Sequence, residues 1–221
     1  MIKKLKVTIF SKFIFLLVAL CILFGIYLSI PVLFNYKSIE NIIESKFYSD
    51  FDIKLNINGD IKYQLLPKPH LLISDSSLYI GENNNKNISF DIKSLKVFVN
   101  TYNLYPKSKI NFEKFEIQNT NFILKKKEYV TLRHYFHNSE SKPFHIKKSK
   151  IFLVDEKDET LVISPIEKIN FVTSKKDNVK KLNIKGILFD LNFKSLWKKK
   201  YNSGMNSQIE VDFKEPNFLI K

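Results

Sequence analysis

From Phe13 to Phe34 the chain runs for about 22 residues without a charge, roughly 33 Å at helical rise and enough to cross a hydrocarbon core. Such a chain is tied to a membrane, and whatever follows must fold beside one. Lys3, Lys4, Lys6 and Lys12 precede the run, whereas Lys37 on its far side is balanced by Glu40 and Glu44, which places the N-terminus in the cytoplasm. A cleaved signal peptide is the competing reading. It is the weaker one, because the run exceeds an ordinary signal core and Leu28-Ser29-Ile30-Pro31-Val32 offers no small-x-small cleavage site. Cys21 follows the bulky Leu20 and is followed by more apolar sequence, as suits a membrane-buried thiol rather than a lipid-modified one. The expected organisation is a basic cytoplasmic segment, 1–12, an anchor, 13–34, and a body, 35–221, outside the cytoplasm.

That body has no cysteine, so burial rather than a disulfide framework must stabilise it. With 44% apolar residues, 20 Phe and 10 Tyr, the chain can supply the buried area for one domain or one extended sheet. Five glycines argue against glycine-rich cofactor loops. A formal charge of +14 suits anionic partners such as lipid headgroups. The dominance of Lys over Arg fits a composition bias equally well. Nucleic acid is disfavoured, because the basic runs Lys125-Lys126-Lys127 and Lys198-Lys199-Lys200 are short, scattered and on the non-cytoplasmic side.

After the anchor, Ser38 to Tyr48 reads as a helix, with Ser38 as N-cap and Ile39, Ile42, Ile43 and Phe47 on one face. Then period two sets in. Phe51, Ile53, Leu55, Ile57 and then Ile61, Tyr63, Leu65 point one way, with a bend at Gly59 and a break at Pro67-Lys68-Pro69. Strands are expected near 70–80, 88–99, 109–125, 144–155, 160–173, 180–193 and 208–214, with a polar hairpin tip at Glu82 to Asn87. No second convincing helix is visible, and Leu191 to Tyr201 is the one short exception.

A unit recurs in these strands: two apolar residues at alternate positions, four polar ones, then two more apolar residues at alternate positions. Leu71/Ile73 with Leu78/Ile80, Phe115/Ile117 with Phe122/Leu124, and Phe144/Ile146 with Ile151/Leu153 are its clean copies. Val211/Phe213 with Phe218/Ile220 is a poorer one, interrupted by Pro216. A regular strand would place the two pairs of each copy on opposite faces, so a bulge or turn must return them to one. The fold expected is mainly β: a curled antiparallel meander with one continuous apolar face and no helices left to cover it. The sheet either stays open as a groove or closes into a sandwich.

Catalytic chemistry is hard to assemble. Asp155, Glu156, Asp158 and Glu159 sit in an apparent hairpin turn, where carboxylates are usually just solvated. His134, His137 and His145 fit no standard metal spacing and fall in what reads as a polar loop. No phosphate-binding glycine loop, nucleophile elbow or extramembrane cysteine is present. Neither enzyme activity, a metal site nor a cofactor is expected.

The stretch from Leu55-Asn56-Ile57-Asn58-Gly59-Asp60-Ile61 through Leu65-Leu66-Pro67-Lys68-Pro69 to Leu71-Leu72-Ile73-Ser74-Asp75 resembles the N-terminal region of the AsmA family. There an anchor leads to an apolar-x-Gly-x-Ile strand, a Leu-x-Pro-x-Pro turn and an apolar strand ending near Asp. Ile88 to Val99, Leu104-Tyr105-Pro106, Ile110 to Leu124 and Phe144 to Asp155 with Glu159-Thr160-Leu161 extend the resemblance over about 1–190. Lys126-Lys127-Glu128-Tyr129-Val130 departs from the family's Gly-x-x-Asn-Trp turn. The chain is also shorter than many members, as a reduced or truncated one would be.

The resemblance implies an inner-membrane-anchored periplasmic protein of a Gram-negative envelope, connected with outer-membrane biogenesis and lipid homeostasis. Its larger relatives resemble bridge-like lipid-transfer proteins. On that reading the partners are membrane lipids, above all phospholipid. Acyl chains would lie on Ile57, Ile61, Tyr63, Leu65, Leu71, Ile73, Phe90, Ile92, Phe115, Ile117, Phe144 and Ile146, with Lys at the rim. The alternative is a non-enzymatic scaffold that holds envelope proteins by β-augmentation.

Overall fold

The computed structural model describes residues 9–80, 88–100, 112–138, 143–174, 179–200, 207–214 and 218–220. The expected hairpin tip at Glu82 to Asn87 and the Leu104-Tyr105-Pro106 connection lie outside them. Helix α1 (Ile9–Ser29) continues as a 3-10 turn, Ile30–Leu33, because Pro31 has no N–H to extend the α-helical ladder. Most of the apolar stretch Ser11–Leu33 is exposed on the molecule, as suits a segment long and apolar enough to cross a membrane, whereas at its end Leu28 packs against the core and Pro31 is buried.

The next helix starts later than its sequence indicates. Asn35 Oδ1 accepts the Lys37 N–H at 3.0 Å, a 3-10 turn covers Lys37–Ile39, and α2 runs Glu40–Phe51. Ser38 is therefore not the N-cap. Asp52 at φ 55° ends the helix in the left-handed conformation. Ile39, Ile43, Phe47 and Phe51 are buried, whereas Ile42 is exposed.

Among the described residues, twelve strands form one mixed sheet: β1 (Lys54–Ile57), β2 (Ile61–Gln64), β3 (His70–Ile80), β4 (Ile88–Val99), β5 (Phe112–Gln118), β6 (Asn121–Lys125), β7 (Phe144–Val154), β8 (Thr160–Ser174), β9 (Val179–Leu188), β10 (Leu191–Lys200), β11 (Ser207–Phe213) and β12 (Phe218–Ile220). Its order is open, β1-β3-β4-β5-β7-β8-β9-β10-β11-β12, with β2 beside β3 and β6 beside β7. It is not closed into a barrel.

Three expectations need correction. The sheet is not wholly antiparallel, for β5 and β6 both run parallel to β7. Parallel neighbours need a crossover, and α3 (Lys126–Asn138) supplies it where the sequence suggested a polar loop. The supposed helix at Leu191 is strand β10, and 180–193 spans two strands joined by Phe189 and Asp190, both at positive φ. That is the backbone of a tight primed turn without its usual Asn-Gly signature. Finally, helices do cover part of the apolar face. Phe47 and Phe51 of α2 lie edge-on to Phe115 at 5.0 and 5.4 Å, Phe51 meets Phe144 at 6.0 Å, and Leu132 and Tyr135 of α3 join the same cluster.

The spacing-five repeat is a crease across the sheet. In its three clean copies the middle residue Asp75, Asn119 or Lys148 has φ near +50°, which resets the alternation. Buried positions in β4 shift parity at the same level, from Ile88, Phe90, Ile92 to Leu95, Val97, Val99, and β8 bulges at Glu167. Leu71, Ile73, Leu78 and Ile80 are accordingly all buried. The fourth copy is different: Val211 and Phe213 pair in backbone register with Ile220 and Phe218 of the antiparallel β12.

Gly59 begins the crease. Its N–H and that of Asn58 both donate to the Asp75 carbonyl at 2.9 Å, and a Cβ on Gly59 would stand 2.2 Å from the Ser74 carbonyl oxygen. Since backbone rather than a flexible side chain blocks that space, Gly59→Ala is expected to destabilise the domain by about 1–3 kcal/mol. A lowered urea midpoint would register it, and an unchanged midpoint would show that β1 and β3 can part here without loss.

Candidate functional site

Because register places directly opposite residues on the same face, the apolar side chains line up in rows across the sheet. One row reads Tyr63, Leu71, Val97, Phe115, Phe144, Phe171, Leu182, Trp197, Ile209. The next reads Ile61, Ile73, Leu95, Ile117, Ile146, Ile169, Ile184, Ser195, Val211. Both are apolar almost without interruption from β2 to β11.

Their environments change along the way. Of the residues singled out from the sequence, Ile57, Tyr63, Leu71, Ile73, Phe90, Ile92, Phe115, Ile117 and Ile146 are buried, and Ile61, Leu65 and Phe144 are half-buried. All twelve belong to or pack against one cluster that α2 also joins. Phe90 meets Phe122 edge-on at 5.2 Å, and Tyr63 Oη donates to the Leu28 carbonyl at 3.0 Å, tying the sheet to the end of the anchor helix. This part of the face is filled.

Beyond it the packing thins. Leu182, Ile184 and Phe193 are half-buried and still pack against the core, Trp197, Val211 and Phe213 are half-exposed, Ile209 is 54% exposed, and no described residue of β10 or β11 is buried. An uncovered apolar trough thus continues the filled core. The sequence showed part of it, as alternation in 182–188 and 209–213, but read 191–201 as a possible helix and gave no sign that α2 would stop short of it. One position further along each strand pair, Thr173, Lys180, Lys199 and Ser207 continue the ladder, with Lys180 buried and Lys199 half-buried. Trp197, the chain's one tryptophan, lies within it.

The opposite face is polar, and its centre was missed from sequence. Glu116 on β5 is buried, with Lys114 and Lys147 Nζ each 3.0 Å from Oε2 and Gln118 Nε2 donating to Oε1 at 2.6 Å. Burial by itself would raise its pKa, but the bonds from Lys114, Lys147 and Gln118 outweigh that and bring it down to about 2. Lys114/Glu116/Gln118 is legible as one strand face; Lys147 arrives only through the parallel β5–β7 pairing. Beside it, His145 Nδ1 lies 2.6 Å from Asn170 Oδ1, and burial pushes its imidazole below the usual range. These groups neutralise and hydrogen-bond one another, an arrangement suited to holding the sheet rather than to reacting.

The acidic turn is a hairpin. Asp155 Oδ1 accepts the Lys157 and Glu159 N–H groups at 2.8 Å, and Asp158 pairs with Lys125 at 2.6 Å. The backbone at His134 and His137 is helical in α3, and their side chains lie outside the described residues. Among the described residues no group of three or more His, Cys, Asp or Glu is placed to hold a metal.

No curated protein sequence matches the chain significantly. The AsmA family model, by contrast, matches residues 1–175, which takes in the anchor, α2, the crease and the strands through β8. With four-fifths of its length matched in order, from apolar anchor to creased sheet, the chain belongs to the AsmA family.

Proposed function

We propose that this protein sits in the inner membrane through α1, with its N-terminus cytoplasmic and its β domain periplasmic. There it binds phospholipid by seating acyl chains on the trough of β9–β11, in the service of outer-membrane biogenesis and lipid homeostasis. Family membership supports an envelope role. The observation that carries the lipid reading is the continuation of two apolar rows from a filled core onto β10 and β11, where nothing described is buried. Each methylene moved from water onto such a surface contributes about 0.8 kcal/mol, so ten would contribute about 8 kcal/mol, comparable with the entropic cost of capture. In this reading the protein carries lipid without catalysis, and the chemistry of the ligand is untouched.

The test is native mass spectrometry with lipid extraction on residues 35–221 purified without detergent, paired with Trp197 fluorescence. Stoichiometric phospholipid is expected, together with quenching of Trp197 by phospholipid brominated on its acyl chains. Ile184→Glu/Phe193→Glu should abolish both. A lipid-free protein whose Trp197 ignores the brominated chains would reject the reading. The sheet's open ends at β1 and β12 would then favour a scaffold pairing with partner strands.

A further inference from the structure

The polar face of β7–β10 is not an ordinary solvated surface. Lys147, Lys168, Lys185 and Lys194 stand directly opposite one another on four consecutive strands. Strands lie about 4.8 Å apart, and like charges held opposite at that spacing are destabilising. Glu116 answers Lys147, but Lys168, Lys185 and Lys194 have no ion pair among the described residues. Within the four strands the only carboxylate is Glu167, against three lysines in β7, one in β8, three in β9 and four in β10.

On the same face, beyond the crease, Ile123, Phe152 and Ile163 are directly paired across β6, β7 and β8. They point away from the core, since Phe122, Ile151 and Ser164 beside them point toward it. Ile123 is 56% and Ile163 49% exposed, and Phe152 is half-exposed. Between ladder and strip opens a cleft of about 380 Å³ lined by Lys148, Lys150, Pro165, Glu167, Ile187 and Asn192.

We infer that this face, opposite the trough, docks on the surface of an anionic phospholipid bilayer, the lysine ladder meeting headgroup phosphates and the Ile123–Phe152–Ile163 strip entering the interface. Charge alone would suit any polyanion. A row of exposed apolar side chains beside the charges is what selects a bilayer interface, where both kinds of contact are satisfied. The inference concerns a different face from the trough and stands whether or not the trough holds lipid.

The test uses the full chain in nanodiscs of phosphatidylcholine, mixed with vesicles of phosphatidylcholine alone or with about one-third phosphatidylglycerol, and read by flotation. The protein is expected to float with the anionic vesicles only, and to be released by high salt. K168Q/K185Q/K194Q should weaken this about 100-fold, whereas K54Q/K62Q/K157Q, an equal charge change elsewhere, should weaken it less than about threefold. Ile123→Ser/Ile163→Ser, at unchanged charge, should weaken it about tenfold. These residues are surface-exposed or half-exposed, and unchanged thermal transitions would verify folding of each variant. Wild-type binding by the ladder variant would overturn the inference. So would an ineffective serine variant, since the face would then recognise charge alone, as a soluble polyanion demands.

Discussion

Phe51→Ala is expected to cost the β domain about 3–5 kcal/mol, a large share of the roughly 5–15 kcal/mol that a domain usually has. Phe51 is 2% exposed at the last turn of α2, its ring 4.7 Å from Phe47, 5.4 Å from Phe115 and 6.0 Å from Phe144, while its carbonyl accepts the Tyr135 hydroxyl. It thus joins both helices to the rows of the sheet. Truncation removes the transfer energy of the ring and leaves a cavity that three other phenylalanines cannot collapse to fill. A urea titration followed by far-ultraviolet circular dichroism should show a lower midpoint at similar slope, with Phe51→Leu affected much less. A shift below about 1 kcal/mol would mean that α2 is loosely seated and that the trough extends beneath it toward β5.

Glu116→Gln should lower stability at neutral pH by about 2 kcal/mol and remove much of the domain's sensitivity to acid. The folded carboxyl titrates at about 2, against 4.5 for the ordinary group. A depressed folded value means that the contribution is fully present above about pH 4.5 and is lost as pH falls toward 2. A carboxyl held down that far contributes at most about 3 kcal/mol, and less here because Lys114 and Lys147 remain a third exposed to screening water. Urea midpoints at about pH 7, 4 and 2.5 should show wild type and variant converging as pH falls. A constant gap would mean that the residue acts through packing instead.

Much of this architecture was readable along the chain. The long apolar N-terminal helix follows from an uncharged run, and the bounds of β3 and β4 follow from alternation that proline and polar clusters punctuate. The repeat of apolar pairs at odd spacing demanded a reset of strand parity, and Asp75, Asn119 and Lys148 carry it. Where the reading slipped, local signal and structure part company. Lys126–Asn138 is helical despite its polar composition, and Leu132 and Tyr135 pack it on the core across the parallel crossover. Phe189-Asp190 makes its turn with both residues at positive φ, which Asp tolerates but Phe seldom adopts, under the constraint of β9 pairing with β10.

What the amino-acid order determined by itself is therefore one-dimensional: a helix long and apolar enough to span a membrane, a strand period, a crease repeated at fixed spacing, and one apolar face per strand. These are properties of neighbours a few residues apart, set by side-chain alternation and backbone sterics. Which strands lie side by side was decided only in the folded molecule, and with it the rows, the lysine ladder and the reach of Lys147 to Glu116. So was the division of a uniform apolar face into a core and a trough. That division depends on where α2 and α3 come to rest, a balance of long-range packing that no window of the chain contains.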